Sequence, residues 1–179
     1  MKATTAANFL VYMLSDACDD LTNMKINKLL YYAQGYHFRQ FGAPLFEDDI
    51  EAWERGPVIA SVYEKYKRFG NQPVEGWNED ELSEISEATS DMFVNLVREY
   101  GKMSADELSD MTHEAGAPWS QVYTGPDSHD KIPLNSIKDY FTGNGVQDLK
   151  PFEMAVSEND FVGYRDKDGY LVLPKEWND

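Results

Sequence analysis

Apolar positions recur at helical spacing through most of the first 141 residues and then give way to short runs separated by turn residues. Phe9, Leu10, Met13, Leu14 and Ala17 form one stripe of a helix that begins near Thr4 or Thr5 and is broken by the acidic DACDD stretch. Thr22 is a good N-cap for a second helix, Ile26, Leu29, Leu30, Ala33 and His37 are its stripe, and Gly42 is a fitting left-handed terminator. Tyr31 projects away from that stripe and Tyr32 and Tyr36 lie beside it, so some of these phenols are expected at the surface or against a neighbouring element. Gly35 within the helix costs about 1 kcal/mol relative to Ala, which points to a close approach by another group.

A short strand is predicted near Ile50 to Trp53, followed by a turn at Arg55-Gly56-Pro57. Pro57 suits the first turn of a third helix whose stripe is Val58, Val62, Tyr66 and Phe69, with Lys65, Lys67 and Arg68 near its negative end and Gly70 as its stop. Leu82, Ile85, Met92, Phe93, Leu96, Val97 and Tyr100 trace a long helix closing at Gly101, with a break near Thr89 and Ser90. Ser104 and Glu107 make a capping box for a helix over Leu108 and Met111, Pro118-Trp119 starts a turn that inserts an indole into the core, and a short helix spans roughly Leu134 to Phe141. Past Gly143, Phe161 to Arg165 and Tyr170 to Leu173 read as a β-hairpin around Asp166 to Gly169. The expected fold is mainly α: a compact helical domain over residues 1–143 with a few short strands, and a C-terminal extension over 144–179 carrying the hairpin. Leu29, Leu30, Ala33, Val62, Phe93 and Leu96 are its expected core.

With 179 residues and 42% hydrophobic content the chain can build one substantial core. Its single cysteine, Cys18, excludes an intramolecular disulfide framework and any multi-cysteine metal site, which favours a reducing, cytoplasmic setting. The apolar run FLVYML after Lys2 is too short for a signal peptide, and nothing approaches the ~18 apolar residues of a membrane span. The formal charge of −16 is uneven: residues 71–130 hold fourteen acids against Arg98 and Lys102 alone. That field repels nucleic-acid backbones and favours a protein partner with a basic surface, although GWNEDELSEISEATSD also reads as an ordinary solvated helix face.

Few groups are candidates for chemistry. His37 and His113 are the only reasonable general bases, since His129 sits in a Ser/Asp/Gly loop and reads as solvated. Glu47, Asp48 and Glu114 could join the two histidines at a metal, but no metal-binding spacing is present. Cys18 lies among Asp16, Asp19 and Asp20, which raise rather than lower a thiol pKa, and Gly143-Asn144-Gly145 is too short to cradle a phosphate. The reading is therefore of no catalytic residue, no metal and no cofactor, with His37 and His113 tying the fold together. Trp53 and Arg55 on a tight turn suit an interface anchor, both types being enriched at hot spots. They also fit a bland alternative in which Trp53 turns inward and Arg55 pairs with a nearby acid.

The stretches LTNMKINKLLYYAQGYHF, PLFEDDIEAWERGPVIASVYEKYKRFG and LSDMTHEAGAPW, in this order and spacing, resemble the Panacea domain, also called the SocA-like antitoxin domain, over roughly residues 5 to 141. The positions carrying the resemblance are Lys28, Leu29, Tyr31, Tyr32, His37, Trp53, Gly56, Pro57, Val58, Tyr63, Thr112, His113, Pro118 and Trp119. It implies a mostly helical domain encoded beside a small toxin, often on a prophage or other mobile element, that neutralises the toxin by binding it. At least one such domain instead delivers its toxin to a Clp-type protease, so a proteolytic adaptor is the alternative, and a His-dependent enzyme a third. Lys28, His37, Gly56, Pro57, Thr112, His113, Pro118 and Trp119 are expected to be structural. Tyr31, Tyr32, Trp53 and Arg55, with Tyr164, Tyr170 and Trp177 of the extension, are the expected toxin contacts. One consequence of the charge distribution is directly measurable: at ~150 mM salt the isolated protein should give no sequence-specific gel shift with duplex DNA.

Overall fold

The structure, a computed structural model, describes residues 1–151 together with 164–165 and 171–172. Helices α1 (Ala3–Leu14), α2 (Asn23–Phe41), α3 (Ala60–Tyr66), α4 (Glu87–Tyr100), α5 (Ala105–Thr112), α6 (Pro118–Val122) and α7 (Leu134–Thr142) form its framework. Strands β1 (Glu51–Trp53) and β2 (Gly56–Val58) form an antiparallel hairpin with Ala52 opposite Pro57. Further on, Tyr164–Arg165 pairs antiparallel with Leu171–Val172. Phe161, Tyr170 and Leu173 of the expected C-terminal hairpin lie outside the described residues. Leu29, Leu30, Ala33, Val62, Phe93 and Leu96 are all fully buried, as the periodicity requires.

Helix α2 runs through the centre, packed by α1, α3, α4, α5, α7 and β2. Its ends are set locally: the Thr22 hydroxyl accepts from the Lys25 N–H, and Gly42 adopts φ 73° with its N–H on the Phe38 carbonyl. Because neighbours surround it, its polar side chains are buried too and bind the backbone of the connections beside it. Gln34 accepts from the N–H groups of Leu45 (2.9 Å) and Phe46 (3.2 Å) and donates to the Phe46 carbonyl (3.0 Å). Asn27 accepts from the Ile59 N–H (2.8 Å), and Asn23 donates to the Tyr63 carbonyl (3.0 Å).

Three boundaries differ from the sequence reading. Helix α1 begins at Ala3, earlier than Thr4 or Thr5, because the Asp48 carboxylate accepts the Ala3 N–H from 45 residues away. Pro57 does not open α3: it sits in β2, and α3 starts only at Ala60 after the Asn27 side chain has taken the Ile59 N–H. The long helix breaks at Ser86 rather than near Thr89, with a 3-10 turn over Glu79–Glu84 before it and the Ser86 hydroxyl capping the Thr89 N–H. The capping box of Ser104 and Glu107 forms as expected, each side chain bonding the other residue's backbone N–H.

Gly35 has the close neighbour its cost implies. A Cβ there would fall 2.3 Å from the Phe141 ring, whose edge meets Tyr31, Tyr32 and Tyr36. Gly35→Ala should therefore lower stability by about 2 kcal/mol despite its better helix propensity, because the displaced ring loses packing on all sides. Chemical denaturation should show this, and a Phe141→Leu background should shrink the penalty.

Candidate functional site

The β1–β2 hairpin is held at three alternate carbonyls by side chains from three helices. The Trp119 indole N–H of α6 donates to the Trp53 carbonyl (2.8 Å), the Ser109 hydroxyl of α5 to that of Arg55 (2.7 Å), and the Lys28 ammonium of α2 to that of Pro57 (3.0 Å). Gly56 is required at the turn: its φ is 98°, and a Cβ would lie 2.8 Å from the Thr112 hydroxyl oxygen and 2.9 Å from Lys28 Cε. These contacts bring Lys28, Gly56, Pro57, Thr112 and Trp119 together at the turn, and Pro118 opens the helix that carries Trp119. Ser109 had no signal in the sequence beyond its hydroxyl.

What the pinned turn presents is a half-buried Trp53 and an exposed Arg55. Trp53 stacks on His129 (4.5 Å between centroids, 8° between planes) and meets Tyr63 at 5.0 Å, while its indole N–H donates to Glu51 (2.7 Å). His129 reaches this position because residues 129–132 run along the free edge of β1, with the Ala52 N–H on the Asp130 carbonyl and the Ile132 N–H on that of Ile50, both 2.8 Å. His129 is exposed as expected, yet its ring has a partner that the sequence did not reveal. Arg55 pairs with Asp106 at 2.6 Å, with 65% and 75% of the two side chains exposed, an ion pair worth about 0–1 kcal/mol. Together Trp53, Tyr63, His129, Arg55, Lys67 and Lys28 line a cleft of about 400 Å³.

Lys28 is the unusual group here. It is 1% exposed, and burial, with the like charge of Arg55 second, pushes its pKa down to about 7.

Tyr31 and Tyr32 require a correction. Both are buried, at 1% and 5% exposure, so neither presents its ring as a surface anchor; α7 and α4 cover the side of α2 from which they project. They line the inner wall of a second cleft of about 300 Å³, together with Tyr36, Tyr100, Tyr140 and residues 145–150. There Tyr32 stacks on Tyr100 (4.8 Å), the Tyr36 and Tyr100 hydroxyls meet at 2.6 Å, and burial raises all these phenol pKa values. Tyr164 is described only as part of its short strand, and Tyr170 and Trp177 lie outside the described residues.

The histidines are engaged singly. His37 Nδ1 lies 2.7 Å from the Ala43 carbonyl and its ring meets Phe41 at 4.6 Å, near the solvent-facing end of α2 and not inside the core. His113 stacks on Trp119 at 3.9 Å, and burial followed by the Lys28 charge lowers its pKa. The Cys18 thiol pKa is raised, by burial first and by a hydrogen bond to Asp20 next. Among the described residues no three His, Cys, Asp or Glu gather as a metal site, and no helix is long and apolar enough to cross a membrane.

Residues 26–120 match the model of the family described as "Antitoxin SocA-like, Panacea domain". The chain belongs to this family. Over 155 residues it is 29% identical to "Antitoxin SocA" of Caulobacter vibrioides (strain NA1000 / CB15N), covering 79% of this chain and 82% of that relative. No solved structure matches the chain. The matched part of the Panacea domain contains the whole pinned hairpin with Lys28, Ser109 and Trp119, whereas His129 lies beyond it.

The Lys28 pKa carries a sign that can be measured. The folded pKa is about 7 against an ordinary 10.5, so between these values the unfolded chain binds the proton that the folded chain lacks, and stability from this group rises with pH. Lys28→Met should therefore be at least as stable as wild type at pH 7, offset only by the about 1 kcal/mol lost with the Pro57 hydrogen bond. The difference should move toward wild type on going to pH 10, by at most ~1.4 kcal/mol per pH unit, in parallel urea titrations. The buried tyrosines are common to both proteins and cancel.

Proposed function

We propose that this protein is an antitoxin that neutralises a cognate, adjacent-gene-encoded toxin by direct stoichiometric binding, and that the toxin docks on the hairpin turn and its cleft. The observation that carries the location is the turn itself, held at the Trp53, Arg55 and Pro57 carbonyls while offering an indole and a guanidinium outward. Such preorganisation spares a binding surface the entropic cost of ordering its anchors, and Trp and Arg are the residue types that most often dominate interface energetics. Membership of an antitoxin family supports the class of function, and the acidic segment 71–130 beside this surface suits a toxin with basic surface elsewhere. Tyr164, Tyr170 and Trp177 complete the proposed contacts from the C-terminal extension. Residues 144–151 are left out of these proposed contacts, because Val146 and Leu149 pack on the core and Arg39 ion-pairs with Asp148 while donating to the Phe141 and Gly143 carbonyls.

The test is co-expression with the product of the adjoining open reading frame. Trp53→Ala with Arg55→Ala should abolish protection and weaken the purified complex at least a hundredfold, with the melting temperature changed by no more than a few degrees. Protection retained in full would remove the hairpin from the interface. Toxin abundance measured in the same cells separates the mechanisms: steady toxin with restored growth fits occupancy, whereas protease-dependent toxin loss fits an adaptor. Truncation after residue 151, with rescue and thermal melting read together, assigns the extension; rescue lost at unchanged melting temperature is the expected result.

A further inference from the structure

Lys28, one of the residues lining the cleft beside the hairpin, carries an ammonium group without a counter-charge. Lys28 is 1% exposed, yet the Pro57 carbonyl is the one hydrogen-bond acceptor the structure gives it, leaving two of an ammonium's three donors unused. No carboxylate lies within ion-pair distance of it among the described residues, and the charges that act on it or are acted on by it, Arg55 and His113, have the same sign when ionised. A buried cation is ordinarily paired, because an uncompensated one costs several kcal/mol. The neighbouring amides cannot be what it awaits: Asn27 binds Ile59 and Asn23, and Asn23 binds Tyr63.

The walls around this ammonium define what would complete it. Trp53, Tyr63 and His129 supply ring faces, Arg55 and Lys67 add positive charge at the rim, and Glu54 is the one acid in the lining, in a chain whose net charge is −16. The rim cations already have exposed acidic partners, Arg55 in Asp106 and Lys67 in Glu64, whereas Lys28 does not. A phosphate would draw on several cations at once, but Arg55 and Lys67 already face carboxylates, which leaves one cation of the lining to be matched by one carboxylate; a chain terminus would call for a nest of backbone N–H groups. We infer that the cleft takes the carboxylate of an Asp or Glu side chain on the docked protein, seated on the Lys28 ammonium between the Trp53 ring and the Arg55 rim. The inference rests on the reading that this cleft is where the toxin docks, and it adds a chemical requirement to it: a partner basic overall must present one acidic residue here. Lys28 would then serve twice, holding the Pro57 carbonyl and recognising the partner with the donors left over.

The site can be probed without the toxin. N-acetyl-Phe-Glu-amide, N-acetyl-Phe-Gln-amide, N-acetyl-Phe-Gln with a free terminal carboxylate, and inorganic phosphate are titrated into the full-length protein at pH 6, following the Trp53 indole N–H signal by NMR. The Glu-amide probe should bind saturably and at least tenfold more tightly than each of the other three, and Lys28→Met, checked for an unchanged or raised melting temperature, should level the four. Equal binding of Glu and Gln probes, discrimination that survives in Lys28→Met, preference for phosphate or the free terminus, or no binding at all would each overturn the assignment. With the adjoining toxin in hand, one Asp→Asn or Glu→Gln substitution in it should reproduce the affinity loss of Lys28→Met and show no further loss when combined with it. A toxin that binds wild type yet has no such residue defeats the inference and leaves the antitoxin reading standing. A toxin that does not bind wild type defeats that reading, while the probe titrations still report on the cleft.

Discussion

A helix enclosed on every side must bury its polar side chains along with its apolar ones, and the architecture of this protein follows from how α2 satisfies that requirement. Asn23, Asn27, Lys28 and Gln34 are all buried on α2, and each is matched to backbone groups of the segments packed beside it. Gln34 fixes the path at Leu45 and Phe46, Asn27 fixes the start of α3, and Lys28 fixes the hairpin turn. The dependence is reciprocal: the loops keep their shape because the side chains hold them, and the side chains tolerate burial because the loops accept or donate. Truncating Asn27 or Gln34 would leave an unsatisfied backbone group inside the molecule, a larger loss than the net worth of the hydrogen bond, whereas at Lys28 the relief of burying its charge offsets that loss.

The hairpin surface proposed for docking inherits its rigidity from this arrangement. A two-stranded hairpin of three-residue strands is marginal alone, yet here its outward residues sit on a backbone clamped from α2, α5 and α6. Trp53 has His129 on one side and Tyr63 at an angle, so the indole is oriented before any partner arrives. The second cleft differs in kind: Tyr32 stacks on Tyr100, the Tyr36 and Tyr100 hydroxyls bond each other, and residues 145–150 of the same chain complete its lining.

The features readable in the sequence are those whose physics is local. Thr22 and Gly42, and Ser104 with Glu107, bond within their own helix ends, so spacing alone locates them. Gly35 was readable as a close approach, though nothing local named Phe141 as the neighbour. Helical projection put Tyr31 and Tyr32 off the apolar stripe correctly in angle, but an angle says nothing about what lies opposite, and here α4 and α7 do. Pro57 failed as a helix start because its residue pairs across the hairpin with Ala52, a choice made by β1 and the 129–132 segment. His129 and Ser109 entered the site from afar in sequence, carrying no motif. Tryptophan and arginine flanking a glycine turn are legible by residue type alone, and both line the cleft beside that turn.

The fit of Phe141 against Gly35 also bears on how the chain is made. The ring fills a notch in α2 that no earlier residue fills, so during synthesis the centre of the molecule stays open until the polypeptide has been extended well past its hundred-and-fortieth residue. Every fragment released before that point exposes a tyrosine-lined gap in its main helix, which makes unfinished chains a good substrate for proteases and a poor imitation of the finished one.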